Sequence, residues 1–168
     1  KPLLAVVGKR AELAGEQRNR GLELSIFGTP TQGVRLLGGL TWLEAQQSKT
    51  DVAANNGKRP IGAPETQVSV GGEWDVPGAP GLSLNARSIY TSTQYADLAN
   101  SKQLPSWTRL DIGARYLTQL AGHDVTVRAR VDNVTDRNYW SSAVSSFNIG
   151  SLVLAAPRTV VVSASVNF

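Results

Sequence analysis

Apolar and polar residues alternate one for one along much of this chain. In residues 124–133, Val125, Val127, Ala129 and Val131 take every second place, with Thr126, Arg128, Arg130 and Asp132 between them. Successive side chains of a β-strand point to opposite faces, so this run predicts a strand with one apolar and one ionic face. Residues 108–117 repeat the pattern, setting Leu110, Ile112, Ala114 and Tyr116 against Arg109, Asp111, Gly113 and Arg115. The closing run sets Val160, Val162, Ala164, Val166 and Phe168 against Thr159, Val161, Ser163, Ser165 and Asn167. Weaker alternation over 20–28, 34–46, 66–75 and 82–91 brings the count to seven strands, and residues 2–7 supply the remnant of an eighth.

The connections come in two kinds. Residues 29–33, 76–80 and 118–123 are short and rich in Gly, Pro and Thr, as tight turns require, whereas 8–19, 47–65, 92–106 and 134–157 are long and polar. Short and long alternate strictly. An up-and-down barrel with turns on one rim and loops on the other produces this order. A soluble sandwich also has alternating strands at regular spacing. Against it stand the repeated ionic faces and the aromatics Trp42, Trp74, Tyr90, Trp107, Tyr116 and Phe168 at or near strand ends, where membrane-interface rings lie.

Composition narrows the choice. No run approaches the roughly 18 apolar residues that a spanning helix needs, so any crossing of a bilayer is made by strands. With no cysteine and one histidine, His123, placed in a short turn, the sequence offers no thiolate, no paired-histidine metal site and no activated nucleophile. The expectation is no catalytic residue and no metal ligand. Lys and Arg number 17 against 13 Asp and Glu, but they are scattered, which argues against a nucleic-acid surface. Asp132, Asp136, Arg128 and Arg130 are expected to form cross-strand ion pairs on a wet wall. Gly38-Gly39 and Gly71-Gly72 fall inside strands, marking a bulge, a bend or a close approach rather than a phosphate loop.

Five segments carry a family resemblance. Gly15-Glu16-Gln17-Arg18-Asn19-Arg20-Gly21-Leu22-Glu23, then Gly57-Lys58-Arg59-Pro60 with Ala63-Pro64-Glu65, then Leu104-Pro105-Ser106-Trp107-Thr108-Arg109-Leu110-Asp111, then Asn133-Val134-Thr135-Asp136-Arg137-Asn138-Tyr139, and last Ala156-Pro157-Arg158-Thr159 follow in order. Together they resemble landmarks of the TonB-dependent outer-membrane siderophore receptors, with Trp107 where that family's motif has Tyr. The resemblance implies an all-β fold of antiparallel up-and-down strands, the last seven to eight of a 22-stranded transmembrane β-barrel. Residues 1–168 are then a C-terminal barrel fragment without the family's plug domain.

The resemblance further implies an outer-membrane location and a non-enzymatic role in importing ferric siderophores. Implied partners are the siderophore, the TonB complex through an N-terminal region not contained here, outer-membrane lipid and the barrel-assembly machinery. No cofactor is expected, since iron travels only as part of the siderophore. Ligand-facing candidates in the long loops are Tyr95, Trp107, Tyr139, Trp140 and Phe147 for stacking, with Lys58, Arg59 and Arg137 for attracting an anion. The motifs around Arg59 and Arg137 read equally as loop architecture. Val160, Val162, Ala164, Val166 and Phe168 are the expected assembly signal. Two other readings stand beside this one: a complete small barrel with a structural or interaction role, and a lipid-modifying barrel enzyme.

Overall fold

In the computed structural model, which describes residues 2–7, 10–146 and 149–167, the alternating runs are strands and the Gly- and Pro-rich segments are turns. In chain order they are β1 (Pro2–Val7), β2 (Arg10–Thr31), β3 (Val34–Ser48), β4 (Thr66–Asp75) and β5 (Leu82–Thr91). Two short strands follow, β6 (Gln94–Tyr95) and β7 (Gln103–Leu104), then β8 (Trp107–Leu120) and β9 (His123–Asp132). A loop hairpin of β10 (Trp140–Ser146) and β11 (Ile149–Leu154) precedes the last strand, β12 (Thr159–Asn167). Eight strands share one sheet in the order β1-β2-β3-β4-β5-β8-β9-β12, every pair antiparallel. This is the expected meander. It is open in this chain, with β1 and β12 at its edges.

The register sorts side chains into two faces. One row runs Leu36, Gly72, Ala86, Ile112, Val131 and Val160 across six strands, and the adjacent row runs Arg35, Glu73, Asn85, Gly113, Arg130 and Val161. On the ionic side Ser83, Thr91 and Asp111 are buried, while Leu36, Val70 and Trp74 on the apolar side of interior strands are 50%, 56% and 46% exposed, so the sheet curves toward its ionic side. Side chains converge and shield one another on a concave surface and splay apart on a convex one. The apolar face is therefore the outer, lipid-facing wall, and the ionic face lines the lumen.

Arg35 donates to Glu73 and Asp75 across β3 and β4, and Arg115 on β8 reaches Glu73 at 2.7 Å. These are the cross-strand pairs, and they lie elsewhere than expected. Arg130 pairs with Asp132 along its own strand, Asp136 pairs with Arg158 outside the wall, and Arg128 stands opposite Arg115, like against like.

Other expectations need correcting. Residues 10–19 are strand, because β2 runs on beyond the barrel wall and pairs there with β1, Pro2 opposite Glu16. The turn expected at 118–123 shrinks to Ala121-Gly122, both at positive φ, a two-residue hairpin turn that leaves His123 as the first residue of β9. The paired glycines sit in unbroken register, Gly38 opposite Val70 and Gly72 opposite Leu36, so of the three expected roles the bulge falls away and the close approach holds, a Cβ on Gly38 standing 2.9 Å from Ile26 and one on Gly72 3.0 Å from Leu36. Trp42, Trp74, Tyr90 and Tyr116 lie on the outer face near strand ends, whereas Trp107 has the lumen parity and packs with the loops. Phe168 lies outside the described residues. Among those described, no helix is long and apolar enough to cross a membrane, and strands carry the crossing.

Two measurements check this orientation. In the intact parent protein, Val127→Arg is expected to lower assembly by roughly 2–4 kcal/mol if the residue lies near the bilayer midplane. Thr126→Arg should be tolerated. Equal assembly of the two variants would reverse the faces. Single cysteines at Ala54 and Ser145, both exposed on long loops, should react with an impermeant reagent on sealed cells, and one at Gln32 in a short turn should not. Labelling at Gln32 would overturn the assignment of the rims.

Candidate ligand-binding surface

All three long connections rise from one rim and lock together. Residues 49–65 follow β3, 92–106 carry the β6–β7 ladder, and 133–158 carry the β10–β11 hairpin. Buried and half-buried polar side chains bind them. The amide of Asn100, at positive φ, brackets the backbone of Arg59, accepting from its N–H at 2.8 Å and donating to its carbonyl at 2.9 Å. Gln47, on β3, donates to the same carbonyl. Gln94 on β6 donates to the Ser141 carbonyl and accepts from the Ser142 hydroxyl, both at 3.3 Å.

Backbone contact is equally close. The Gly62 N–H donates to the Tyr95 carbonyl, and a Cβ on Gly62 would fall on the carbonyl of Ala143. A Cβ on Gly150 would likewise strike the carbonyl of Ala96. Each loop is thus fitted to the next by glycine.

At the foot of the third loop, Asn133 is 1% exposed and its side chain holds three backbone groups. Its N–H donates to Asp111, its side-chain NH₂ to the carbonyls of Arg137 and Ala156, and its side-chain oxygen accepts from the Arg137 N–H. Asp136 closes the other side, accepting from the backbone N–H and guanidinium of Arg158. The Arg158 N–H, chiefly, holds the Asp136 carboxyl below the usual carboxylate range. The segment Asn133–Tyr139 is therefore a clamp built by its asparagine and aspartate.

The sequence-predicted candidates separate accordingly. Arg59 is committed, its guanidinium on Glu65 at 2.8 Å and on the Leu43 carbonyl. Trp107 stacks on Tyr139 with ring centroids 4.6 Å apart and donates to the Ser141 carbonyl, so both aromatics serve as packing between β8 and the third loop. Tyr95 is half-buried in β6. Lys58, Arg137 and Trp140 present exposed side chains. Phe147 lies outside the described residues. The structure thus joins Trp107 to Tyr139 and leaves Lys58, Arg137 and Trp140 as separate exposed groups.

The buried amides Gln47, Gln94 and Asn133 and the half-buried Asn100 were missed, because an amide in a polar loop has no periodic signature to set it apart from a solvated one. A cavity of about 190 Å³ lies among the loops, bordered by Gln47, Asp51, Asn55, Ile61, Leu98 and Ser145. It is smaller than the roughly 300–1,000 Å³ of a typical small-molecule site, so any ligand of that size would need more of the barrel than these loops supply. Among the described residues no three His, Cys, Asp or Glu side chains gather as metal ligands.

Comparison with known proteins agrees with this architecture. The family described as TonB dependent receptor-like, beta-barrel, matches residues 6–134. The ferrichrome receptor FcuA of Yersinia enterocolitica is 41% identical over 155 residues, covering 92% of this chain and 20% of that protein. The ferrichrome outer membrane transporter/phage receptor of Escherichia coli K12 is 31% identical over 157 residues, covering 92% of this chain and 20% of that protein. Among solved structures, BauA, the ferric preacinetobactin receptor from Acinetobacter baumannii, superimposes with a TM-score of 0.84 at 38% identity, over 100% of this chain and 25% of that one. The chain thus spans about a fifth of the length of these curated relatives. All three are named as receptors, one of them of the outer membrane, and with its matched family, its meander and its two-faced wall this chain belongs to the TonB-dependent receptor β-barrel family.

Proposed function

We propose that this chain is the C-terminal part of the barrel of a receptor that captures a ferric siderophore at the cell surface and imports it with energy from TonB. The observation that carries the reading is the interlocked set of outer loops on a barrel wall 41% identical to that of a ferrichrome receptor. Iron is cargo here, held by the siderophore. The N-terminal part of the parent protein supplies the plug and the contact with the TonB complex, and the role is transport rather than catalysis. The relatives' names as transport receptors support that role.

On this reading the exposed groups Lys58, Arg137 and Trp140 face the incoming ligand, and the asparagine clamps fix the loops that carry them. The outward row Val160, Val162, Ala164 and Val166, aligned with Val131, Ala129, Val127 and Val125, gives β12 an apolar edge that the barrel-assembly machinery can pair with during insertion.

The full-length parent should support growth on one ferric siderophore under iron limitation, only when TonB is present. Removal of residues 134–157 should abolish uptake at unchanged surface expression. Uptake that survives this deletion would remove the third loop from the ligand path, and a parent whose loss alters lipid A or phospholipid while leaving every siderophore's uptake intact would point to a barrel enzyme or structural porin instead.

The loop clamp has its own test. Asn133→Ala removes the partners of the Arg137 N–H and the Arg137 and Ala156 carbonyls, a loss of about 1–3 kcal/mol per buried group left unpaired. Hydrogen exchange over 134–158 should accelerate while β8 and β9 stay protected. Because the carboxyl of Asp136 is lowered in the folded state, its contribution is complete above the ordinary carboxylate range and is lost as pH falls through the lowered value. Exchange in the same loop should therefore rise on acidification, and Asp136→Asn should flatten that dependence.

A further inference from the structure

On the lumen wall, Arg115 of β8 and Arg128 of β9 stand opposite each other in register, with Ser83 next in the same row on one side and Ser163 on the other. Like charges placed directly opposite on one face of a sheet repel. The carboxylates around them are already engaged. Glu73 is shared between Arg35 and Arg115, Asp75 accepts from Arg35 and the Ser83 hydroxyl, and Asp132 pairs with Arg130 at 2.8 Å. The cluster thus sets four guanidinium groups, of Arg35, Arg115, Arg128 and Arg130, against three carboxylates. Arg128 is the one left over, and among the described residues no ion pair engages it. Neither arginine lies on an open edge of the sheet, since β8 runs between β5 and β9, and β9 between β8 and β12.

The pair borders a recess of about 170 Å³, shared with Glu73, Asn85, Arg130 and Ser163. Further donors line it unused. The Nε of Arg115 is shut off from solvent and has no hydrogen-bond partner. The Asn85 amide lies across Gly113, where a Cβ would stand 2.7 Å from its Oδ1, and among the described residues it makes no hydrogen bond. The Ser163 hydroxyl beside Arg128 is likewise without a partner among them. Buried donors in a native protein are paired, so this recess calls for an acceptor that the chain itself does not supply. One negative charge balances the cluster. A carboxylate brings that charge with two oxygens, which suit the fork of Arg128 and the orphaned Nε of Arg115 together. The recess is smaller than the roughly 300–1,000 Å³ of a small-molecule site and has the size for a side chain. It opens to the lumen, and a protein such as FcuA, of which the matched region is 20%, has ample chain outside that region to reach it.

From this geometry we infer that Arg128, with Arg115, Asn85 and Ser163, receives a single Asp or Glu side chain of the parent's plug, an inference that rests on the receptor reading above. The incoming carboxylate separates the two opposed arginines electrostatically and fixes the plug to the wall at β8 and β9. Its withdrawal returns Arg115 and Arg128 to mutual repulsion, so the contact favours the seated plug.

The test uses the full-length parent with the photoreactive p-benzoylphenylalanine in place of Val161, which lines the recess from β12, and joined peptides are read by mass spectrometry. The cross-link should fall on a segment N-terminal to the barrel that contains Asp or Glu. Arg128→Glu should lower its yield by about tenfold, as expected for loss of a charge-assisted contact worth about a decade in affinity, and Arg128→Lys should keep most of it. Changing the mapped carboxylate to Lys in the Arg128→Glu protein should restore the yield. Heat-modifiable migration reports whether each variant is folded, and Arg128→Gln, which brings no new charge, takes the place of a glutamate variant that does not fold. Inorganic phosphate should leave the wild-type yield unchanged. A cross-link confined to barrel peptides, an undiminished yield in the folded variant, no restoration by the charge exchange, or a yield that falls with added phosphate would overturn the assignment. TonB-dependent growth of the unsubstituted parent on a ferric siderophore, measured in the same strain, keeps the two readings apart: where growth is intact, each of these results sinks the carboxylate site alone.

Discussion

Inside hydrocarbon a backbone amide has no partner except the next strand, and this requirement governs the wall of the protein. From β3 to β12 the pairing runs without a break in register, residue against residue, through six strands. Continuous pairing fixes which side of the wall each side chain takes. A shift by one residue in any strand would carry Arg35 or Arg128 into lipid and Leu36 or Val127 into the lumen. The alternation of residue types and the continuity of the ladder are two expressions of the same demand.

Order at the loop rim has a different origin. Among the described residues the buried apolar side chains are Ala45, Leu104 and Ala143, too few for a hydrophobic core, because the large apolar side chains point outward to lipid. Burial at the rim is polar instead, in Gln47, Gln94, Asn55 and Asn133. Hydrogen bonds are directional, so a surface held by them keeps a defined shape without the volume of a packed interior. That suits a region that must be rigid and yet stand in water.

How much of this was legible in the sequence follows from what leaves a periodic mark. Val125 to Val131 and Leu110 to Tyr116 announce strands and faces because every second residue repeats the same choice. The extension of β2 through residues 10–19 was hidden, since residues 15–20 are glycine and polar throughout and break the alternation. The β10–β11 hairpin was hidden by a like break in alternation. Trp107 looked like an interface ring by its place near a strand end, and only its parity and its stack on Tyr139 assign it to the loops. Arg59 and Arg137 looked like anion contacts. The first is engaged by Glu65, and the second enters the clamp through its backbone.

The glycines at Gly62 and Gly150 carry a consequence for descent. Each lies where a neighbouring loop's carbonyl leaves no space for a side chain, so the shape of one loop is written partly in the sequence of another. A lineage that acquires a new loop by recombination must also inherit the loop it rests on. Diversification of such a surface then proceeds by exchanging the whole outer block, and the boundaries of recombination should fall in the strands below it, where the common register makes one wall interchangeable with another.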